Sequence, residues 1–175
     1  MSKTVAVALK SEQAPEVEEV IDFRKSAPLT RELDEKVVAI DRISRTVKGG
    51  RRIRFRALVI LGDRNGQVGV GLSKAGDVQS AIAKARNRAK KTLLNVKIVN
   101  DSIAHPIEST YGRTKVILKP APAGHSIIAG GAVRPVLELA GIKNIVSKAI
   151  GSSNPLNSAM ATYQALSRLG EGVKR

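Results

Sequence analysis

The chain has 175 residues, with 30 Lys/Arg against 15 Asp/Glu and a formal net charge of +15, a balance that points to a polyanionic partner. It has no cysteine, which excludes disulfides and thiolate metal sites. Its apolar runs are too short for a signal peptide or a membrane span, so a cytoplasmic protein without a membrane partner is expected.

The charge is distributed unevenly. Residues 1–35 hold five Lys/Arg and eight Asp/Glu, a net of −3, whereas residues 36–175 carry a net of +18. Glu12, Glu16, Glu18, Glu19 and Asp22 surround few apolar residues, and Pro15 and Pro28 interrupt them. This stretch reads as a mobile acidic extension, with a short helix over 15–23 as the alternative.

Regular structure is expected from Lys36. Val37-Val38-Ala39-Ile40 opens a strand, and Ile53 to Leu61 gives a second with Phe55, Ala57, Val59 and Leu61 on one face. Asp63-Arg64-Asn65-Gly66 is a turn in which Asn-Gly supplies the positive φ values. A third strand over 67–72 completes an antiparallel meander. Asp77 then caps a helix whose Val78, Ile82, Ala85, Ala89, Leu93 and Val96 form a 3.6-residue stripe. A first domain, 36–100, therefore holds three strands and a helix, and Asn100-Asp101-Ser102 reads as a linker.

A second domain, 101–170, opens with two short strands over 106–111 and 115–119 around Gly112. Pro120 to Gly124 form a bend. A helix follows over 132–140, ended by Gly141, with Pro135 tolerated in its first turn. A strand spans 145–150. Asn154 caps a last helix with Pro155 at its first position, turning Leu156, Ala159, Met160, Tyr163 and Leu166 inward. Residues 171–175 are a tail. The expected class is α+β.

The densest chemistry lies between Arg42 and Arg56. Arg42, Arg45, Lys48, Arg51, Arg52, Arg54 and Arg56 make seven cations without one acid. Like charges this close repel unless an anionic backbone neutralises them, so a nucleic acid is the expected partner. Gly49 and Gly50 at the tip lack Cβ atoms and suit a loop pressed against another backbone. Lys84, Arg86, Arg88, Lys90 and Lys91 on the first helix fit a solvated face and an RNA contact equally well.

Other chemistries find little support. Gly71 to Gly76 has phosphate-loop spacing, but Asp77 and Val78 stand where Lys and Ser/Thr belong. Gly69 and Gly71 begin a dinucleotide fingerprint that Lys74 breaks. The cluster from Pro122 to Gly131 leads to a helix N-terminus, yet residues 102–175 offer only Glu108, Glu138 and Glu171 for magnesium. His105 and His125 are isolated, and four aromatic residues leave no base-stacking sheet. No catalytic residue, metal site or cofactor is expected.

The run KVVAIDRISRTVKGGRRIRFRALVILGDRNGQVGVGLSKAGDVQSAIAKA resembles the N-terminal domain of the fifth protein of the bacterial small ribosomal subunit, and IIAGGAVRPVLELAGIKNIVSKAIGSSNP resembles its C-terminal domain. The likeness covers about residues 36–169. It implies a double-stranded-RNA-binding-like domain followed by an α/β sandwich, in a non-enzymatic protein that binds ribosomal RNA near the decoding region. It further implies that Ser44, Arg45, Lys48, Gly49 and Gly50 reach the RNA close to the spectinomycin site. Contacts with small-subunit proteins four and eight, a role in translational accuracy and a place beside the mRNA entry channel are implied too. Arg134 matches the family's accuracy position. Ser126 stands near that contact where the family usually has glycine.

Overall fold

The computed structural model describes residues 33–170. All but the last three residues of the expected acidic extension, the alternative helix over 15–23 and the tail 171–175 lie outside the described residues. Strands β1 (Asp34–Val47), β2 (Gly50–Gly62) and β3 (Gln67–Ala75) form the antiparallel meander, followed by helix α1 (Val78–Lys91). A two-residue strand β4 (Leu94–Asn95) pairs with β3, giving the order β1-β2-β3-β4. The second sheet contains β5 (Ile107–Tyr111), β6 (Thr114–Pro120), β7 (Ile127–Ile128) and β8 (Ile145–Gly151), with helices α2 (Val133–Ala140) and α3 (Pro155–Gly170). Its order is β5-β6-β8-β7, and β7 pairs with β8 in parallel. The α+β expectation is met. The strands not anticipated, β4 and β7, have two residues each, too few to leave a periodic signal.

Strand β2 organises both cores. Phe55, Ala57, Val59 and Leu61 face α1, as the alternation predicts, and cluster with Ala75, Ala81, Ala85 and Ala89. Leu58 and Ile60, on the opposite face, join Val116, Leu118, Val136, Leu137, Ile145 and Leu166 in a larger cluster. The two sheets thus share a core through β2. Each fully buried Val, Leu or Ile contributes roughly 1.5–3 kcal/mol, so this shared layer couples the two halves of the chain.

The inward face of α1 differs from the expected stripe. The helix ends at Lys91, leaving Leu93 and Val96 outside it, and its buried residues are Ala81, Ala85 and Ala89. Close packing is the reason. A Cβ at Gly71 would lie 2.1 Å from the Ala85 carbonyl oxygen, and one at Gly69 would lie 2.5 Å from that of Ala89. Paired glycines and alanines let the helix backbone rest directly on β3, so these glycines serve packing rather than phosphate binding. At the other end, the Asp77 carboxylate accepts from the Ser80 hydroxyl at 2.6 Å and makes no backbone cap.

Helix α2 ends with every terminal carbonyl paired. Ile142 N donates to Leu137 O and Gly141 N to Glu138 O, both at 3.1 Å, with Gly141 left-handed at φ 88°. Leu139 O accepts from Arg64 N at 3.0 Å and Ala140 O from Gly66 N at 2.9 Å. The turn between β2 and β3 thereby completes a helix of the second half. Within that turn the positive φ values belong to Arg64 (55°) and Gly66 (102°), rather than to Asn65. Asp63 Oδ1 shapes it by accepting from Asn65 N and Gln67 N at 2.8 Å.

Asn100 and Asp101 form a tight, docked turn instead of a loose linker. Both are left-handed, at φ 50° and 59°. The Asp101 carbonyl accepts from Lys143 N and Asn144 N, and Ser102 Oγ donates to Asn144 O at 2.6 Å. In α3, Asn154 caps as expected by accepting from Leu156 N at 3.1 Å. Tyr163, half-buried, donates its hydroxyl to Thr92 O at 3.0 Å, and burial pushes its phenol above the usual range.

Candidate nucleic-acid interface

The β1–β2 hairpin extends beyond the core as a two-stranded ribbon. Its register is unbroken from Ala39↔Leu58 to Val47↔Gly50, past a bulge between Val37 and Ala39. Lys48 and Gly49 form the turn. Gly49 adopts φ 94° and Gly50 φ 149°, which the absence of a Cβ permits at little cost. A Cβ at either would meet nothing within 4 Å, so the tip projects clear of the rest of the described chain.

From Arg42 to Arg54 no residue is buried. Arg45 stands directly opposite Arg52, Ile43 opposite Arg54, Ser44 opposite Ile53 and Thr46 opposite Arg51. Like charges directly opposite on one face destabilise a sheet, and among the described residues no carboxylate relieves the Arg45–Arg52 pair. Arg42, Lys48, Arg51 and Arg54 also lack an acidic partner among them. Arg56 differs from these six. Its Nη2 and Nε reach Asp41 Oδ2 at 2.6 and 2.9 Å. Asp41 lies one residue outside the acid-free window, and only the strand register brings it across from Arg56.

Elsewhere the acids are engaged within the fold. Glu138 pairs with Lys36 at 2.9 Å, Asp34 with Arg64 at 2.7 Å, Asp101 with Lys143 at 3.1 Å and Glu108 with Lys115 at 2.5 Å. Glu35 is held by the Arg86 guanidinium, whose hydrogen bonds, helped by the charges of Arg86 and Lys90, keep its carboxyl below the usual range against the opposing effect of burial. Arg86 is thereby occupied, and Arg88 donates to Leu72 O at 3.3 Å. The cationic face of α1 is therefore partly used internally, whereas of the hairpin cations only Arg56 has an acidic partner among the described residues.

Ser126 and Arg134 come together at one cleft of about 750 Å³, also lined by Lys36, Arg64, Glu138 and Lys143. Arg134 is exposed in the first turn of α2. Ser126 is left-handed at φ 57°, a conformation glycine adopts without the Cβ penalty. Buried Asn144 holds this loop by accepting at Oδ1 from Gly124 N (3.1 Å) and Ser126 N (3.3 Å). Asn144 escaped the sequence reading because its partners lie about 20 residues away, and an isolated Asn carries no pattern. Among the described residues no group of three or more His, Cys, Asp or Glu could hold a metal ion, and no helix is long and apolar enough to cross a membrane.

Residues 33–97, which include the whole hairpin, match the family model for ribosomal protein S5, N-terminal domain, and residues 109–171 match that for ribosomal protein S5, C-terminal domain. The chain belongs to the ribosomal protein S5 family. Ribosomal protein S5 is a structural, non-enzymatic component of the small ribosomal subunit and associates with its RNA. Within the S5 frame the acid-free ribbon falls in the N-terminal match, and Ser126 and Arg134 fall in the C-terminal one.

Proposed function

We propose that this S5 protein acts in the cytoplasm and grips small-subunit ribosomal RNA near the decoding region through its β1–β2 hairpin. Arg42, Arg45, Lys48, Arg51, Arg52 and Arg54 neutralise phosphate, while Ser44, Gly49 and Gly50 let the ribbon approach the backbone closely. Arg56 contributes through the same surface only by sharing its charge with Asp41. The observation that carries this reading is Arg45 facing Arg52 with no acidic partner among the described residues, an arrangement that an RNA backbone converts from repulsion to attraction. Co-sedimentation tests it: the chain should migrate with the small subunit at moderate salt, and loss of the hairpin charges should release it.

The cleft at Ser126 and Arg134 is the proposed contact with small-subunit protein four, through which the chain influences accuracy. Protein eight and the mRNA at the entry channel complete the proposed partners. Support for the cleft comes from Arg134, an exposed cation with no carboxylate partner among the described residues, at a helix start where a positive charge is unfavourable. An acidic group on a neighbour would hold it. Breaking such a desolvated pair costs about 2–5 kcal/mol, so Arg134→Ala should change miscoding on reporter messages far more than it changes RNA affinity. Unchanged miscoding with weakened RNA binding would assign Arg134 to the RNA instead.

A further inference from the structure

Cross-strand partners share a face of the hairpin and successive residues alternate, so Arg42, Ser44 and Thr46 lie on one face with Arg51 and Ile53. On that face Arg42, Ser44, Arg51 and Ile53 line a depression of about 300 Å³. The opposite face, with Arg45, Arg52 and Arg54, carries no hydroxyl. Ser44 is exposed, and among the described residues its own hydroxyl has no hydrogen-bond partner. The hydroxyls of Ser80, Thr92, Ser102, Thr114 and Thr162 are by contrast all engaged. Ser44 therefore offers a free nucleophile on a projecting ribbon, where an enzyme can reach it.

The surroundings of Ser44 suit a phosphate better than a neutral hydroxyl. Arg42 lies two residues before it on the same face, ~7 Å along the strand. Arg51 is its diagonal neighbour across the pair, ~7–8 Å away and within reach of a long side chain. Neither arginine has an acidic partner among the described residues. A phosphate on Ser44 Oγ would sit between two guanidiniums, each able to donate a pair of parallel hydrogen bonds to it. We infer that Ser44 is a phosphorylation site, and that its phosphate occupies the Arg42–Arg51 depression in place of an RNA phosphate. A protein kinase supplies the group. Ser44 Oγ attacks the γ-phosphorus of a nucleoside triphosphate, the bond to the oxygen of the departing nucleoside diphosphate breaks, and the hydroxyl proton passes to a base of the kinase. Phosphoserine brings about −1.5 to −2 charges at pH 7, which offsets the positive charges of Arg42 and Arg51. RNA then meets a neutralised face and binds weakly, and hydrolysis of the phosphoester restores binding. This rests on the reading of the hairpin as an RNA-binding element and adds to it how that element is regulated.

The test uses the full chain carrying phosphoserine at position 44, installed during synthesis. Its phosphorus resonance, followed through a pH titration, should place the second ionisation below the ~6 of an ordinary phosphoserine. Arg42→Gln and Arg51→Gln should each raise it again. RNA-binding isotherms should show a log–log salt slope smaller by roughly 1.4–1.8, the loss of two phosphate contacts. Phosphatase treatment of the same sample should restore the slope, which separates the charge effect from misfolding. Mass mapping of the chain from growing cells should find the phosphate on Ser44 in the ribosome-free fraction and not in the small subunit. An unmodified Ser44 in both fractions, or equal modification in both, overturns the proposal. It is overturned equally if the phosphorylated chain binds RNA as tightly as the unmodified one while the double variant Arg42→Gln, Arg51→Gln binds weakly; the RNA-binding reading survives that result. If neither the phosphate nor the double variant alters RNA binding, both inferences fail together.

Discussion

The backbone N–H of Arg64, in the turn between β2 and β3, donates to the carbonyl of Leu139 at the end of α2 at 3.0 Å. With Gly66 N on Ala140 O, it satisfies the two helix-end carbonyls that the helix's own following residues do not reach. The turn that joins β2 to β3 therefore also terminates the helix bearing Arg134. Lys36 on β1 and Glu138 on α2 add an ion pair across the same junction at 2.9 Å.

Gly141 makes that junction close enough. A Cβ there would sit 2.1 Å from the Arg64 carbonyl oxygen, and its φ of 88° disfavours any other residue. Gly141→Ala should therefore destabilise the chain by about 2–4 kcal/mol, combining overpacking with left-handed strain. Gly131→Ala is the control, since a Cβ there meets nothing within 4 Å. Thermal melts of the two variants should separate clearly, and equal melting points would mean that the turn and helix end give way freely.

Replacing Arg45, Lys48, Arg51 and Arg52 together by Ala should weaken RNA binding and flatten its salt dependence. Each lost phosphate contact removes roughly 0.7–0.9 from the log–log slope. Arg56→Ala should change that slope least, because Asp41 already offsets its charge. Binding isotherms across a salt series check both statements. A slope in the quadruple variant equal to that of the wild type, with the fold intact, contradicts the phosphate assignment.

Glu35 links acid stability to Arg86. Its folded-state value lies below the ordinary 4.5, chiefly through the Arg86 hydrogen bonds. A depressed carboxylate contributes stability that is present above the unfolded value and lost as pH falls through the folded one. The stability difference between wild type and Arg86→Met should hence be constant near neutrality and shrink below about pH 4.5. Carboxyl chemical shifts followed through an acid titration should show Glu35 titrating higher in the variant.

Ser109 on β5 is 2% exposed, and among the described residues its hydroxyl has no hydrogen-bond partner. An unsatisfied buried hydroxyl costs about 1–3 kcal/mol. Ser109→Ala should accordingly leave stability unchanged or raise it by about 1 kcal/mol, as read by denaturant midpoints. A clear loss of stability would show that the hydroxyl is solvated or paired in solution.

Much was legible in the residues alone. Alternation over Phe55 to Leu61, the Asn154-Pro155 start and the Gly141 stop placed strands and helices correctly, because those signals are local and each acts within a few residues. The cationic run from Arg42 to Arg56 was equally visible, since charge density needs no fold to be counted. What lay beyond reach depended on partners distant in sequence. That Arg56 is held by Asp41, that Arg45 faces Arg52 and that two arginine sets point to opposite sides all follow from strand register, which pairing across the turn sets. The choice of Ala81, Ala85 and Ala89 as the inner face of α1 came from Gly69 and Gly71 on another strand. Asn144, Ser102 and the Arg64–Leu139 bond likewise join segments about 20 residues apart or more. Sequence by itself determined the longer elements, the charge and the class of partner; tertiary packing decided the short strands β4 and β7, which cations remain available and in which directions they face, because hydrogen-bond register and backbone approach are properties of two segments together.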